Sequence, residues 1–350
     1  MFLFDSIPWQ AAVMWFVVLA ALIALNELVR WSKTAAVGIF VVLPVALTIF
    51  VWPQTAGAGS STGTWFHWVK VYSALAGCIG FMLLRYSPRL RAMRYALLFP
   101  PAILGLNILE AVIRDFQVTG MHGVGDGVGI VGGPWHGMIG GGGILNLVTI
   151  CGWVGIFVTR DRFQDMIWPD MMWFWIIAYD LWNFAYVYNC VGDHAFYAGA
   201  ALLISCTIPA FFLRKGAWLQ HRAHPPPVRR LARRPDPACV SDSPLAAQSS
   251  HDPTALFVVS LVSLLANVAV AVYQTYVIVS RRRNPLRDEL YADHASYRRL
   301  AAERPAARPA EQAVPAGVAA PSAWRPGPRA PAPLRWRGPG ASRRGGGARR

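Results

Sequence analysis

The chain is 350 residues long, 55% hydrophobic and only 15% charged, with 15 Trp and 11 Tyr and a mean hydropathy of +0.35. Its formal net charge of +15 does not point to nucleic acid, because residues 301–350 carry +8 of it and residues 221–250 carry +3. The remaining body is near neutral, as expected for a protein whose partner is membrane lipid. Five cysteines occur at spacings that fit neither a disulfide framework nor a zinc site; Cys78, Cys151 and Cys206 fall within apolar stretches, where thiols act as small hydrophobes.

In chain order, the apolar blocks are 9–30, 35–52, 65–85, 95–114, 138–159, 168–188, 195–213 and 255–280. Each holds roughly 18 or more residues, enough to cross a hydrocarbon core about 30 Å thick. Backbone amides in lipid must be satisfied within their own segment, so the expected fold is all-α: a polytopic transmembrane helix bundle of eight apparent spans. The opening MFLFDSIPWQ lacks the basic region of a cleavable signal peptide and carries only Asp5, whereas Arg30 and Lys33 follow the first block. By the positive-inside rule the amino terminus is therefore expected outside. The rule holds for seven crossings: Arg85, Arg89, Arg91 and Arg94 fall inside, as do Arg160 and Arg162, then Arg214 and Lys215, while 53–64 and 115–137 have no Lys or Arg.

The eighth block breaks the alternation. If 221–254 stays inside, Arg281, Arg282, Arg283 and Arg287 emerge on the outside. One crossing is missing, and 225–248 is the place for it, yet that stretch is rich in Pro and Arg. The tail after Glu303 shares its Arg/Pro/Ala/Gly bias, which out-of-frame translation of GC-rich DNA produces. Two readings follow. Compensating frameshifts replaced a ninth helix near 225–248 and another rewrote the tail, or the first stretch is an authentic disordered cytoplasmic loop and the second a disordered tail, with an exception to the charge rule. The organisation expected is a seven-span body over 1–224, the aberrant stretch, a last helix within 249–300 and a basic tail at 301–350.

The stretches TAGAGSSTGTWFHWVKVYSALAG (55–77), LNILEAVIRDFQV (106–118), DMIWPDMMWFWIIAYDLWNFAYVYNC (165–190) and SSHDPTALF (249–257) resemble an uncharacterised bacterial family of polytopic inner-membrane proteins, a domain of unknown function. The resemblance covers about 1–224 and 249–300, with departures at 225–248 and after about 303. It implies about nine helices in a bacterial inner membrane and no activity.

Ionisable groups within a span are costly and are functional candidates by default. Asn107, Glu110 and Arg114 form one polar stripe at helical spacing. Lys70 and Glu110 fall at similar depth on consecutive antiparallel helices, so they are expected to pair. Asp180 and Asn183 share a face of the aromatic-rich 168–188 block and must point into the bundle. These six residues line either a polar cavity or a set of packing locks; Asp180 is either a proton or cation site or a hydrogen-bond anchor. Glu27 is expected to pair with Arg30. The segment VTGMHGVGDGVGIVGGPWHGMIGGGG (118–143) suits a re-entrant lid or a flexible loop leading into a glycine-packed helix, and its G-x-G pieces lack the strand a dinucleotide site requires. His122, Asp126 and His136, and His221 with His224, are weak ligand sets, so no metal or cofactor is expected.

Three function classes remain: a small-solute or ion transporter with an outward-facing polar cavity, a membrane-embedded enzyme acting on a lipid-linked substrate with Asp180 or Glu110 as acid or base, and a structural or signalling partner. Transport is the reading preferred, although no internal repeat is visible.

Overall fold

The computed structural model describes residues 2–51, 53, 65–93, 95–125, 128–192, 195–223, 244–245 and 247–305. Residues 224–243 and 306–350, which hold most of the stretch suspected of an altered frame and the basic tail, lie outside them. The described residues are mostly helical and form one unit ending at Pro305. The helices are α1 (Trp9–Trp31), α2 (Lys33–Phe50), α3 (Trp65–Tyr86), α4 (Ala96–Val118), α5 (Pro134–Val148), α6 (Trp173–Cys190), α7 (Ala195–Leu213), α8 (Trp218–Ala223), α9 (Pro253–Arg281) and α10 (Ala295–Ala301). Two short antiparallel hairpins interrupt them: β1 (His122–Gly125) with β2 (Val128–Val131), and β3 (Phe157–Val158) with β4 (Met166–Ile167).

Among the described residues, α1, α2, α4, α7 and α9 are long and apolar enough to cross a membrane. The other blocks differ from expectation for local reasons. The described apolar part of α3 is Val71–Tyr86. Helix α6 has the length, but Asp180, Asn183 and Asn189 dilute its apolarity. The block at 138–159 does not form one helix. It stops at Val148, and the chain then turns through Gly152 in a left-handed conformation (φ +67°), where a Cβ would meet the Asp170 Cβ at 2.2 Å. The backbone carbonyls released by this break find indole donors: Trp153 Nε1 to Ile150 O at 2.8 Å and Trp168 Nε1 to Cys151 O at 3.1 Å. Non-helical backbone among apolar helices is tolerable only with such partners.

The ends are capped by sequence-local means. Ser32 Oγ accepts from Ala35 N at 3.1 Å, and Asp252 Oδ1 accepts from Thr254 N and Ala255 N at 2.9 and 3.0 Å, with Pro253 opening α9. The glycine-rich stretch resolves into the β1–β2 hairpin followed by helix α5. In α5, a Cβ on Gly143 would lie 2.4 Å from Val112 Cγ2 and 2.8 Å from Trp182 Nε1. The missing side chains let α4 and α6 approach the α5 backbone, as small residues do between membrane helices.

Long-range contacts gather the helix termini at two ends. At one end, Tyr188 donates to Leu3 O at 2.6 Å, Phe4 pairs with Ser249, and Tyr197 donates to Leu245 O at 2.9 Å. At the other, Asp165 in the β3–β4 loop region is fully buried and accepts from Arg30 Nε (3.0 Å), Arg214 Nε (2.9 Å) and Gln220 Nε2 (3.0 Å). Arg30 also bonds Glu27 at 2.9 Å, the pair expected from sequence. Arg85 donates to Phe163 O and Gln164 O at 2.9 and 3.2 Å. The segment after α9 docks on this basic end: Leu290 N and Tyr291 N bond Asp170 at 2.9 and 2.8 Å, and Arg214 reaches Glu303 at 2.6 Å. Gln220 belongs to the basic end and Leu245 to the opposite one.

Candidate functional site: a polar cavity at mid-depth

Halfway along the bundle, α3, α4, α6, α7 and α8 line a cavity of about 240 Å³. Its apolar wall includes Phe81, Ile103, Leu104 and Leu202, while its polar groups come from Asn107, Tyr179, Asn183, Tyr186 and Arg222. Asn107 spends its Nδ2 on Ile103 O at 2.7 Å, which leaves its amide oxygen for another donor. Arg222, the penultimate residue of α8, bonds the Tyr179 hydroxyl through its guanidinium, but its Nε is shielded from solvent and has no acceptor. An unmatched donor of this kind costs about 1–3 kcal/mol or more when charged.

Asp180 stands behind this wall. Thr207 Oγ1 donates to its Oδ2 at 2.6 Å, Trp218 Nε1 donates to Thr207 Oγ1 at 3.2 Å, and the Asp180 Oδ1 is buried without a partner. Arg222 attracts Asp180 electrostatically. A basic and an acidic side chain thus stand beside the cavity, each with one buried atom that lacks a hydrogen-bond partner.

Of the six residues expected to build a cavity, Asn107 and Asn183 line it and Asp180 adjoins it. Glu110 and Arg114 lie further along α4, away from the basic end; they act electrostatically on Tyr186 and are not among the lining residues. The Lys70 side chain, and with it the expected Lys70–Glu110 pair, lies outside the described residues. Arg222 was missed because it sits in the basic stretch that sequence composition set apart from the bundle. Among the weak ligand sets, His122 is exposed while His136 is buried, and Asp126 and His224 lie outside the described residues. His221 is buried with neither ring nitrogen bonded.

A family model of unknown function, DUF5692, matches residues 5–303. The chain belongs to this family. The match runs across the Pro/Arg-rich stretch and stops where the basic tail begins. No curated protein and no solved structure matches the chain.

Proposed function

We propose that this family member is a transporter of a small hydrogen-bond-accepting solute, with the mid-depth cavity as its binding site. The observation that carries the reading is the Arg222 Nε, buried at the cavity and lacking an acceptor. A volume of about 240 Å³ falls below the roughly 300–1,000 Å³ of drug-sized sites, which favours a small carboxylate or phosphate. Arg222 anchors the anion, Asn107 and Asn183 orient it, and Asp180 balances the guanidinium charge when the site is vacated. Arg is suited to this role because its fork of donors matches a carboxylate.

Purified protein in proteoliposomes tests this with radiolabelled acetate and inorganic phosphate. Wild type is expected to take up at least one of them faster than protein-free vesicles, with uptake cut tenfold or more, on the order of 1.4 kcal/mol, by Arg222→Gln or Asn183→Leu. Equal rates in wild-type and protein-free vesicles for both probes overturn the proposal.

The topology belongs to the same proposal: the helix ends that carry Arg30 and Arg281 lie on one face of a bacterial inner membrane. The amino terminus is outside and the basic end cytoplasmic. Cysteines placed singly at Lys33, Arg282 and Asp5 in a cysteine-free background read this out. Positions 33 and 282 should react with an impermeant maleimide from the cytoplasmic face and position 5 from the other. Labelling of 282 from the same face as 5 defeats this orientation.

A further inference from the structure

At the end of the bundle opposite the basic hub, three side chains from three helices converge. Asp115 near the end of α4, His136 in the first turn of α5 and Cys190 at the end of α6 are all buried. His136 Nδ1 stands 3.3 Å from Asp115 Oδ1, the Cys190 Sγ is 3.4 Å from the same oxygen, and Sγ and Nδ1 are 3.8 Å apart. The three donor atoms lie within 4.8 Å of one another.

We propose that Asp115, His136 and Cys190 form a metal site for a divalent ion of the Zn²⁺ class. Zinc holds nitrogen and oxygen at about 2.0–2.1 Å and sulfur at about 2.3 Å, so neighbouring donors in a tetrahedral shell stand roughly 3.3–3.6 Å apart. The observed separations match the edges of such a tetrahedron with little movement. The histidine is already oriented as a ligand: its Nε2 lies 3.2 Å from the Val131 carbonyl, and donating there leaves Nδ1 with its lone pair toward Asp115 and Cys190. A second hydrogen bond to a backbone carbonyl is the usual support of a metal-binding imidazole. The Asp115 Oδ2 is buried with no partner, which places an unmatched acceptor within the cluster.

Charge argues the same way. On binding, the Cys190 thiol releases its proton to solvent and becomes a thiolate, so carboxylate, thiolate and a divalent cation sum to zero in a buried place. A mixed sulfur, nitrogen and oxygen set selects zinc-like ions over magnesium or calcium. A cysteine-protease arrangement does not fit, because Asp115 and Cys190 both approach Nδ1 whereas catalysis requires them on opposite ring nitrogens. Sequence spacing hides the cluster: its members are 21, 54 and 75 residues apart.

The test is metal loading of the purified chain with Zn²⁺ and, in parallel, Co²⁺. Wild type is expected to hold one ion per chain by elemental analysis, to show a thiolate-to-cobalt charge-transfer band, and to give a zinc X-ray absorption shell of one sulfur among nitrogen and oxygen neighbours. Cys190→Ser should abolish the charge-transfer band, and Asp115→Asn or His136→Ala should weaken Zn²⁺ by at least about tenfold. A folded wild type that binds no stoichiometric ion, a shell without sulfur, or three folded variants that bind as wild type each overturn the site. The absorption shell is measured on unmutated protein, so variants that fail to fold do not spare the proposal. Failure of solute uptake leaves it untouched.

Discussion

Asp165→Ala is expected to destabilise the protein by about 3–5 kcal/mol, the usual penalty for removing one partner of a buried ion pair. The carboxylate is fully buried and accepts from Arg30, Arg214 and Gln220. Its loss strands two guanidinium groups, each less than a fifth exposed (12% and 16%), that have few other acceptors. The effect reaches far along the chain, because this one side chain ties the ends of α1 and α7 to the β3–β4 loop. Thermal unfolding in detergent should show a large drop for Asp165→Ala and for Arg30→Ala. Asp293→Asn, whose partners Arg281 and Arg283 meet it at the exposed surface, should leave the midpoint unchanged. Equal midpoints for Asp165→Ala and wild type would remove the hub from the account of stability.

The hub also has a defined pH behaviour. Burial alone would raise the Asp165 pKa, but the hydrogen bond and charge of Arg30, with Gln220 and Arg214, hold it below the usual carboxylate range. A depressed folded pKa means the stabilisation is complete above the unfolded value of about 3.9 and is lost as pH falls through the lower folded value. The hub therefore survives mild acid.

His221 does not, and this is the second large effect. Burial, with the nearby charges of Arg30, Arg85 and Arg214 against the opposing pull of Asp165, lowers its pKa to about 3. The folded protein keeps the ring neutral while the unfolded chain protonates it near pH 6.5. Stability is thus full above that pH and lost as pH falls toward the folded value, at about 1.4 kcal/mol per pH unit. Between pH 6.5 and 5 the loss should reach about 2 kcal/mol, before Asp165 begins to titrate. Both ring nitrogens lack hydrogen bonds, so His221→Leu should fold, hold its stability at pH 8, and flatten the profile between pH 7 and 5. A wild-type profile already flat across that window would show that the ring is not held neutral by burial.

The helical character of this chain is legible in its amino-acid sequence. Apolar runs of bilayer length can satisfy their backbones only as helices, and capping residues such as Ser32 and Asp252 are local signals. The basic residues that cluster at one end, Arg30, Arg85 and Arg214, can be assigned to a common side because charge next to an apolar block is read one block at a time. The Glu27–Arg30 pair, three residues apart, is legible for the same reason. Hydropathy averages over a window, however, and cannot see a single left-handed glycine. That is why the block at 138–159 reads as a span although the helix stops at Val148 and the chain turns at Gly152.

The sites depend on the tertiary structure. Asn107 and Asn183 are visible as polar residues in apolar helices, but their common cavity exists only because α4 packs beside both α3 and α6. Arg222 looks like part of a basic loop until α8 places it against Tyr179 and Asp180. Asp165 is an ordinary acidic residue between two blocks until three distant donors close on it. The convergence of Asp115, His136 and Cys190 follows from close packing at the glycines of α5, which set the distance between α4 and α6. Local patterns determine what each segment is, because backbone hydrogen bonding and lipid solvation act within it. Which side chains meet is decided by the shapes through which those segments pack.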